Sequence, residues 1–178
     1  MTNGDLSVSE PMFPQSQLTP HIPETFPKDF TIRALSRDDI NNVKASGYLD
    51  LLSQLTSVGA PDSDVLNARY SSMADTKPLS YYVVVIVNSA NKIVGSATLV
   101  LEWKFIHEAG SRGRVEDVVV DKDHRQHGFG GLLIKTLVSL ARSLGVYKLS
   151  LECKDELIPF YGKFGFVKDV NFLVQRFD

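Results

Sequence analysis

Residues 115–134, VEDVVVDKDHRQHGFGGLLI, constrain this chain more than any other stretch. An apolar run with three consecutive valines reads as a strand. A polar turn follows, and Gly128, Gly130 and Gly131 lead straight into a leucine-rich helix. Leu133, Leu137, Leu140, Ala141 and Leu144 fall on one face of that helix, and Gly145 is placed to end it. The first N–H groups of a helix have no partners inside it and sit at the positive end of its dipole. Glycines there let a ligand approach the backbone closely. The arrangement suits a phosphate, although a tight turn needs glycine for its backbone alone. Two familiar phosphate motifs are absent. Lys135-Thr136 lies well inside the helix instead of completing a P-loop, and Leu133 stands where a dinucleotide fingerprint needs its third glycine.

The flanking pattern predicts one further sheet-and-helix set. FTIRAL alternates as a strand from Phe30, and Ser36 with Asp39 marks a helix start running to about Leu55. A second helix is expected over about 63–74. SYYVVVIVN and KIVGSATLVLEWKF form a hairpin across SANK, HEAGSRG is a loop, and RVEDVVVD is the next strand. After the glycine helix come the strand YKLSLEC, a short helix around PFYGKFG, and a closing strand VNFLVQRF. This order predicts an α+β fold in three layers, α/β/α. Residues 1–27 hold five of the eight prolines and read as a flexible or surface-packed N-terminal arm, or as a cover for a neighbouring subunit. Residues 28–178 form a single domain.

A formal net charge of −2 with no basic block argues against binding nucleic acid through phosphate neutralisation. The longest apolar runs are too short to span a membrane, and no secretory signal is visible at the N-terminus. A single cysteine, Cys153, excludes an internal disulfide and fits a cytoplasmic location. Cys153 itself reads as a small buried residue. His107, His124 and His127 lie in loops without metal-ligand spacing, so no metal is expected.

Arg125-Gln126-His127-Gly128-Phe129-Gly130, following its valine strand, resembles the [Arg/Gln]-x-x-Gly-x-[Gly/Ala] signature of the acetyl-CoA-dependent amine N-acetyltransferase (GNAT) superfamily. The segment from Ile158 to Phe166, an aromatic-Tyr helix ending in a Gly-Phe turn, resembles its second signature. The resemblance implies a mixed, mostly antiparallel sheet splayed at the acetyl-CoA site. It implies coenzyme contacts from Val118, Val119 and Val120, from Arg125 through Gly131, and from Tyr161. One departure is Leu157, where the family usually has an asparagine that caps the last helix and touches the pantetheine arm; Pro159 instead suits the first helical turn.

Further segments narrow the resemblance to the amino-sugar branch of that superfamily: Leu55 to Gly59, Ile106-His107-Glu108, Val115 to Val118, Tyr147 to Cys153, and Gln175-Arg176-Phe177. This implies acetylation of the 2-amino group of D-glucosamine 6-phosphate, on the route to UDP-N-acetylglucosamine, by a homodimer that shares its sugar-phosphate site. The implied substrate contacts are Leu55, Thr56, Trp103, Lys104, Phe105, Ile106, Glu116, Asp117, Val118, Tyr147, Lys148 and Arg176. A phosphate dianion wants Arg and Lys donors, and an ammonium and hydroxyls want carboxylates. Adjacent strand residues face opposite ways, so Glu116 and Asp117 are not expected to work side by side; a solvated strand end is the plainer alternative.

For the chemistry, Glu152 or a backbone carbonyl with water is the candidate proton acceptor. A free N–H near Val118 is the candidate oxyanion donor, and Tyr161 the donor to the leaving sulfur. No acyl-enzyme is required. The competing readings keep the coenzyme turn with a polyamine or peptide acceptor, or make the chain a non-catalytic acyl-CoA sensor.

Overall fold

The structure, a computed structural model, describes residues 10–177. Its centre is a five-stranded sheet in the order β1 (Phe30–Ala34), β2 (Tyr81–Asn88), β3 (Ile93–Trp103), β4 (Ser111–Val120) and β5 (Lys148–Leu151). The first four strands pair antiparallel and β5 joins β4 in parallel, giving the expected mixed sheet. The six central residues of β2 are buried without alternation, the pattern of a strand covered on both faces.

Neighbouring residues of β3 show the two layers. A Cβ on Gly95 would stand 3.5 Å from Leu133 of α7 (Phe129–Ser143). The next residue, Ser96, points the other way, toward Tyr48 of α4 (Tyr48–Leu52). On the α7 face, Leu133, Leu137, Leu140 and Ala141 of the predicted stripe fill the core with Ile134 beside them, while Leu144 is half-buried. On the α4 face lie α2 (Arg37–Asn41), α3 (Val43–Ser46) and α5 (Ser63–Ala74). The helix start at Ser36 forms as read: the Asp39 carboxylate accepts from Ser36 N–H at 2.8 Å and from its hydroxyl at 2.7 Å.

Three expectations need correction. The single helix from Ser36 to Leu55 is three short ones, because Asn42 leaves helical geometry and Gly47 turns left-handed at φ 69°. The N-terminal arm, from residue 10 onward, is part of the core. Met12, Phe13 and Leu18 are buried, α1 (Gln15–Leu18) lies against β1 and α7, and Met12 N–H donates to the Leu35 carbonyl at 2.7 Å. Its polar, proline-rich composition hid a few apolar anchors, and they outweigh it. The part of the arm before residue 10 lies outside the described residues. Finally, VNFLVQRF is not a strand: residues 171–177 are exposed and pair with nothing in this sheet. Apolar composition cannot supply a partner strand, and among the described residues the far edge of β5 is unpaired.

Candidate active site

The sheet opens where the sequence placed the chemistry. β4 pairs with β5 only from Arg112 to Val115, opposite Lys148 to Leu151. Beyond Val115 the strands part, and Glu116 to Val120 keep a free edge on that side. On the β3 side, Ser96 faces Val119 while Thr98 faces Glu116, so Asp117 and Val118 stand against Ala97 alone. This is a β-bulge, and Asp117 takes φ 50° to make it. Glu116 stands against Thr98 and Asp117 against the next residue of β3, Ala97, so the extra residue interrupts the two-residue alternation between Asp117 and Val118 and not between the two acids. Asp117 is exposed, Glu116, Val118 and Val120 are half-buried, and Val119 points into the core.

The glycine turn begins directly after β4. A 3-10 turn over Lys122–His127 meets α7 at Gly128, whose φ of 71° calls for glycine. Arg125, Gln126 and His127 are exposed on this turn. The first N–H groups of α7, at Phe129, Gly130 and Gly131, have no partners within the helix. The Phe129 side chain is fully buried, so only its backbone can meet a ligand. Gly130 and Gly131 also permit packing. Cβ atoms there would stand 3.5 Å from Phe160 and 3.3 Å from Phe164, on and just after α8 (Ile158–Gly162). Beside them is a hollow of about 300 Å³ lined by Gly128, Gly131, Leu132, Phe164 and two lysines, Lys135 and Lys163.

Asp121 ties this turn together. Its carboxylate accepts from Asp123 N–H at 3.0 Å, from His124 Nδ1 at 2.9 Å and from Gln54 Nε2 at 2.7 Å. The hydrogen bond with His124, more than offsetting burial and helped by Gln54 and the Asp123 amide, pulls its pKa down to about 2.

Charges meet where the strands part. Arg114 donates from Nε to Glu116 at 2.7 Å and from Nη2 to Glu152, the first residue after β5. Glu102 holds Lys104 at 2.7 Å and Arg112 at 3.2 Å. An open groove of about 920 Å³ runs past Arg114, Leu151, Glu152, Ile158 and Tyr161. Tyr161 is 8% exposed, and burial raises its pKa, so the hydroxyl stays protonated at neutral pH. Cys153 is exposed, not buried as expected, because the chain has left the sheet by that point. Leu157 gives α8 no side-chain cap, and Pro159 sits in its first turn.

The remaining sequence-derived residues do not converge in one chain. Trp103, Lys104, Phe105 and Ile106 form the tip of the β3–β4 hairpin, with Phe105 and Ile106 exposed. His107, Glu108 and Ala109, in the single turn α6 (Ile106–Ala109), are left-handed, and Tyr147 packs on His107 at 4.0 Å between ring centres. Lys148 stands 3.8 Å from Asp169. Leu55 and Thr56 lie near the other end of β4, beside Gln54, which bonds Asp121. The ten-residue length of β4 puts roughly 30 Å between the two groups. Arg176 is exposed in the unpaired tail, beyond the part that lines the groove.

Sequence reading missed Arg114, Gln54, Asp121 and Lys163. Arg114 was findable, since it stands two residues before Glu116 on the same strand face. Among the described residues no cluster of His, Cys, Asp or Glu could hold a metal ion, and no helix is long and apolar enough to cross a membrane.

Residues 48–166 match the acetyltransferase (GNAT) family. Over 136 residues the chain is 44% identical to a probable glucosamine 6-phosphate N-acetyltransferase of Drosophila melanogaster, covering 74% of this chain and 61% of that protein. It is 32% identical to the glucosamine 6-phosphate N-acetyltransferase of Candida albicans over 85% of this chain and 98% of the relative. The crystal structure of the Arabidopsis thaliana glucosamine-6-phosphate N-acetyltransferase superposes with a TM-score of 0.76 at 29% identity, covering 84% of this chain and 99% of that one.

Proposed function

Since the chain belongs to the acetyltransferase (GNAT) family, we propose that it transfers the acetyl group of acetyl-CoA to the 2-amino group of D-glucosamine 6-phosphate. The products are N-acetylglucosamine 6-phosphate and CoA. The observation that carries this reading is the parting of β4 and β5 between a glycine turn and two Arg114-held carboxylates. The names of the relatives supply the acceptor.

The residues fit the coenzyme. Free amides at the start of α7, with Lys135 and Lys163 beside them, suit its phosphates. The open edge of Glu116 to Val120 offers backbone donors and acceptors to the amides of a pantetheine arm. The free amine of the sugar attacks the thioester carbon, forming the C–N bond and a tetrahedral oxyanion, and the C–S bond breaks as that oxyanion collapses back to the carbonyl. Glu152, or a backbone carbonyl through water, takes the ammonium proton. The amide near Val118, next to the bulge, donates to the developing oxyanion. Tyr161, kept protonated by burial, donates to the departing sulfur.

The acceptor site is completed by a second copy. Leu55 and Thr56 stand too far from Trp103 to Ile106, Tyr147 and Lys148 for one hexosamine phosphate to touch both groups in one chain. In such a homodimer the exposed apolar residues Phe172, Leu173, Val174 and Phe177 of one copy would cover the unpaired edge of β5 on the other, across a two-fold axis. An exchange of the tail would also bring the partner's copy of Arg176 toward the site. The single exposed thiol and the absence of a membrane-spanning helix among the described residues fit a cytoplasmic location.

The test is free thiol release from acetyl-CoA with glucosamine 6-phosphate, glucosamine, spermidine and a lysine peptide in parallel. Turnover confined to glucosamine 6-phosphate is expected. Turnover only with another amine replaces the acceptor. Calorimetric binding of acetyl-CoA with no turnover makes the chain a sensor.

A further inference from the structure

We infer that Gln54 is a positioning residue that couples the acceptor segment to the coenzyme turn. Its side-chain amide uses each end on one of two adjacent residues. Nε2 donates to Asp121 Oδ2 at 2.7 Å, and Oε1 accepts from the Lys122 N–H at 2.9 Å. Asp121 and Lys122 join β4 to the turn that leads into α7. Leu55 and Thr56 follow Gln54 directly in the chain.

The surroundings make this contact decisive for the segment. Residues 53–57 are all exposed, so no buried apolar side chain pins them to the sheet. Their backbone amides reach back only into their own helix: Gln54 N–H to Leu51 O, and Leu55 and Thr56 N–H to Leu52 O. Ser53 also bonds locally, to Asp50 O. Among the described residues, Gln54 is the side chain of this segment that reaches across to the link after β4. On the other side, Asp121 is tied both to the sheet and to the coenzyme turn. Its N–H donates to Val94 O at 2.9 Å, and its Oδ1 serves the Asp123 amide and His124. Any ligand that orders the coenzyme turn therefore orders Leu55 and Thr56 through two hydrogen bonds.

This inference rests on the proposed function for its kinetic consequence, since Leu55 and Thr56 are placed at the acceptor by that reading. Its physical core is independent of it: acetyl-CoA should tighten residues 53–57 whatever the acceptor is.

The experiment measures amide hydrogen exchange of residues 53–57 in the full chain, with and without acetyl-CoA and with no amine present. At least fivefold slower exchange with acetyl-CoA is expected in the wild type, and no slowing in Gln54→Ala. Calorimetry should show acetyl-CoA affinity changed less than threefold in that variant. With glucosamine 6-phosphate, the variant should raise the acceptor KM at least tenfold and leave kcat within threefold. The double variant Gln54→Glu/Asp121→Asn exchanges donor and acceptor across the contact while keeping an oxygen for Asp123 and His124. It should restore the slowed exchange, whereas Asp121→Asn alone, which sets two donors face to face, should not.

An acetyl-CoA effect on residues 53–57 that survives Gln54→Ala, or that is missing from the wild type, overturns the inference. If glucosamine 6-phosphate is not turned over, the proposed function falls, and the exchange measurement still decides the coupling.

Discussion

Arg114 Nε lies 2.7 Å from the Glu116 carboxylate, two residues further along the same strand. The same guanidinium reaches Glu152 at the exit of β5, so one cation fixes two carboxylates at the point where the strands separate. Partly exposed ion pairs of this kind contribute about 0–1 kcal/mol each to stability, so their value lies in orientation. Arg114→Met should lower kcat with glucosamine 6-phosphate at least tenfold and leave the melting temperature within a few degrees. Steady-state kinetics beside thermal unfolding decide it, and an unchanged kcat would remove Arg114 from the proposed site.

Tyr161→Phe should lower kcat at least tenfold with acetyl-CoA affinity nearly unchanged, because the hydroxyl is needed only as the sulfur departs. The raised pKa of the buried phenol adds a second signature. The donor stays in place through neutral and mildly alkaline pH and is lost only above the ordinary tyrosine range near 10. A pH–rate profile that falls between pH 7 and 9 in the wild type but not in the variant would contradict that assignment.

Asp39 anchors the other face of the sheet. Burial alone would raise its pKa, but it accepts two 2.7 Å bonds from Arg33 together with the Ser36 N–H and hydroxyl, and the net shift is downward. A depressed folded-state pKa stabilises the protein above the unfolded value near 4, and the contribution disappears as pH falls through the folded one. Asp39→Ala, which strands Arg33, should cost about 3 kcal/mol at pH 7. Urea unfolding at pH 7 and pH 3 should show that deficit shrinking in acid.

Truncation after Lys168 removes the unpaired tail with its exposed Val170, Phe172, Leu173 and Val174. Sedimentation should then report a monomer. Thiol release with glucosamine 6-phosphate should vanish, while acetyl-CoA binding stays within threefold. A truncated protein that keeps full turnover would end the shared-site proposal.

The sequence carried those parts of the fold that rest on periodicity and local chemistry. The Leu133–Leu137–Leu140 stripe, the capping pair Ser36–Asp39 and the left-handed turn at Gly128 each declare themselves within a few residues. Features set by long-range pairing did not. Asp117 becomes a bulge only because Ala97 faces two residues at once. Met12 and Phe13 enter the core because residues 10–12 lie against Leu35 to Arg37. VNFLVQRF is rich in apolar residues like a strand, yet among the described residues it finds no partner. At the site, the resemblance supplied glycines, carboxylates and Tyr161. The groups that hold them in register, Arg114, Asp121 and Gln54, are tied by contacts 2 to 68 residues apart and leave little local signature.

The separation of β4 from β5 also bears on how long the protein survives. From Glu116 to Val120 the sheet has an unfinished edge inside the molecule, and the coenzyme, as proposed, would serve as its missing neighbour. A ligand that binds only the native state deepens stability logarithmically with its concentration, by about 2.7 kcal/mol at one hundred times its dissociation constant. When acetyl-CoA is plentiful the chain would resist unfolding and proteolysis; when it is scarce the same chain would open more often and be cleared sooner. The abundance of the enzyme would then follow the supply of its own acetyl donor, without any dedicated regulator.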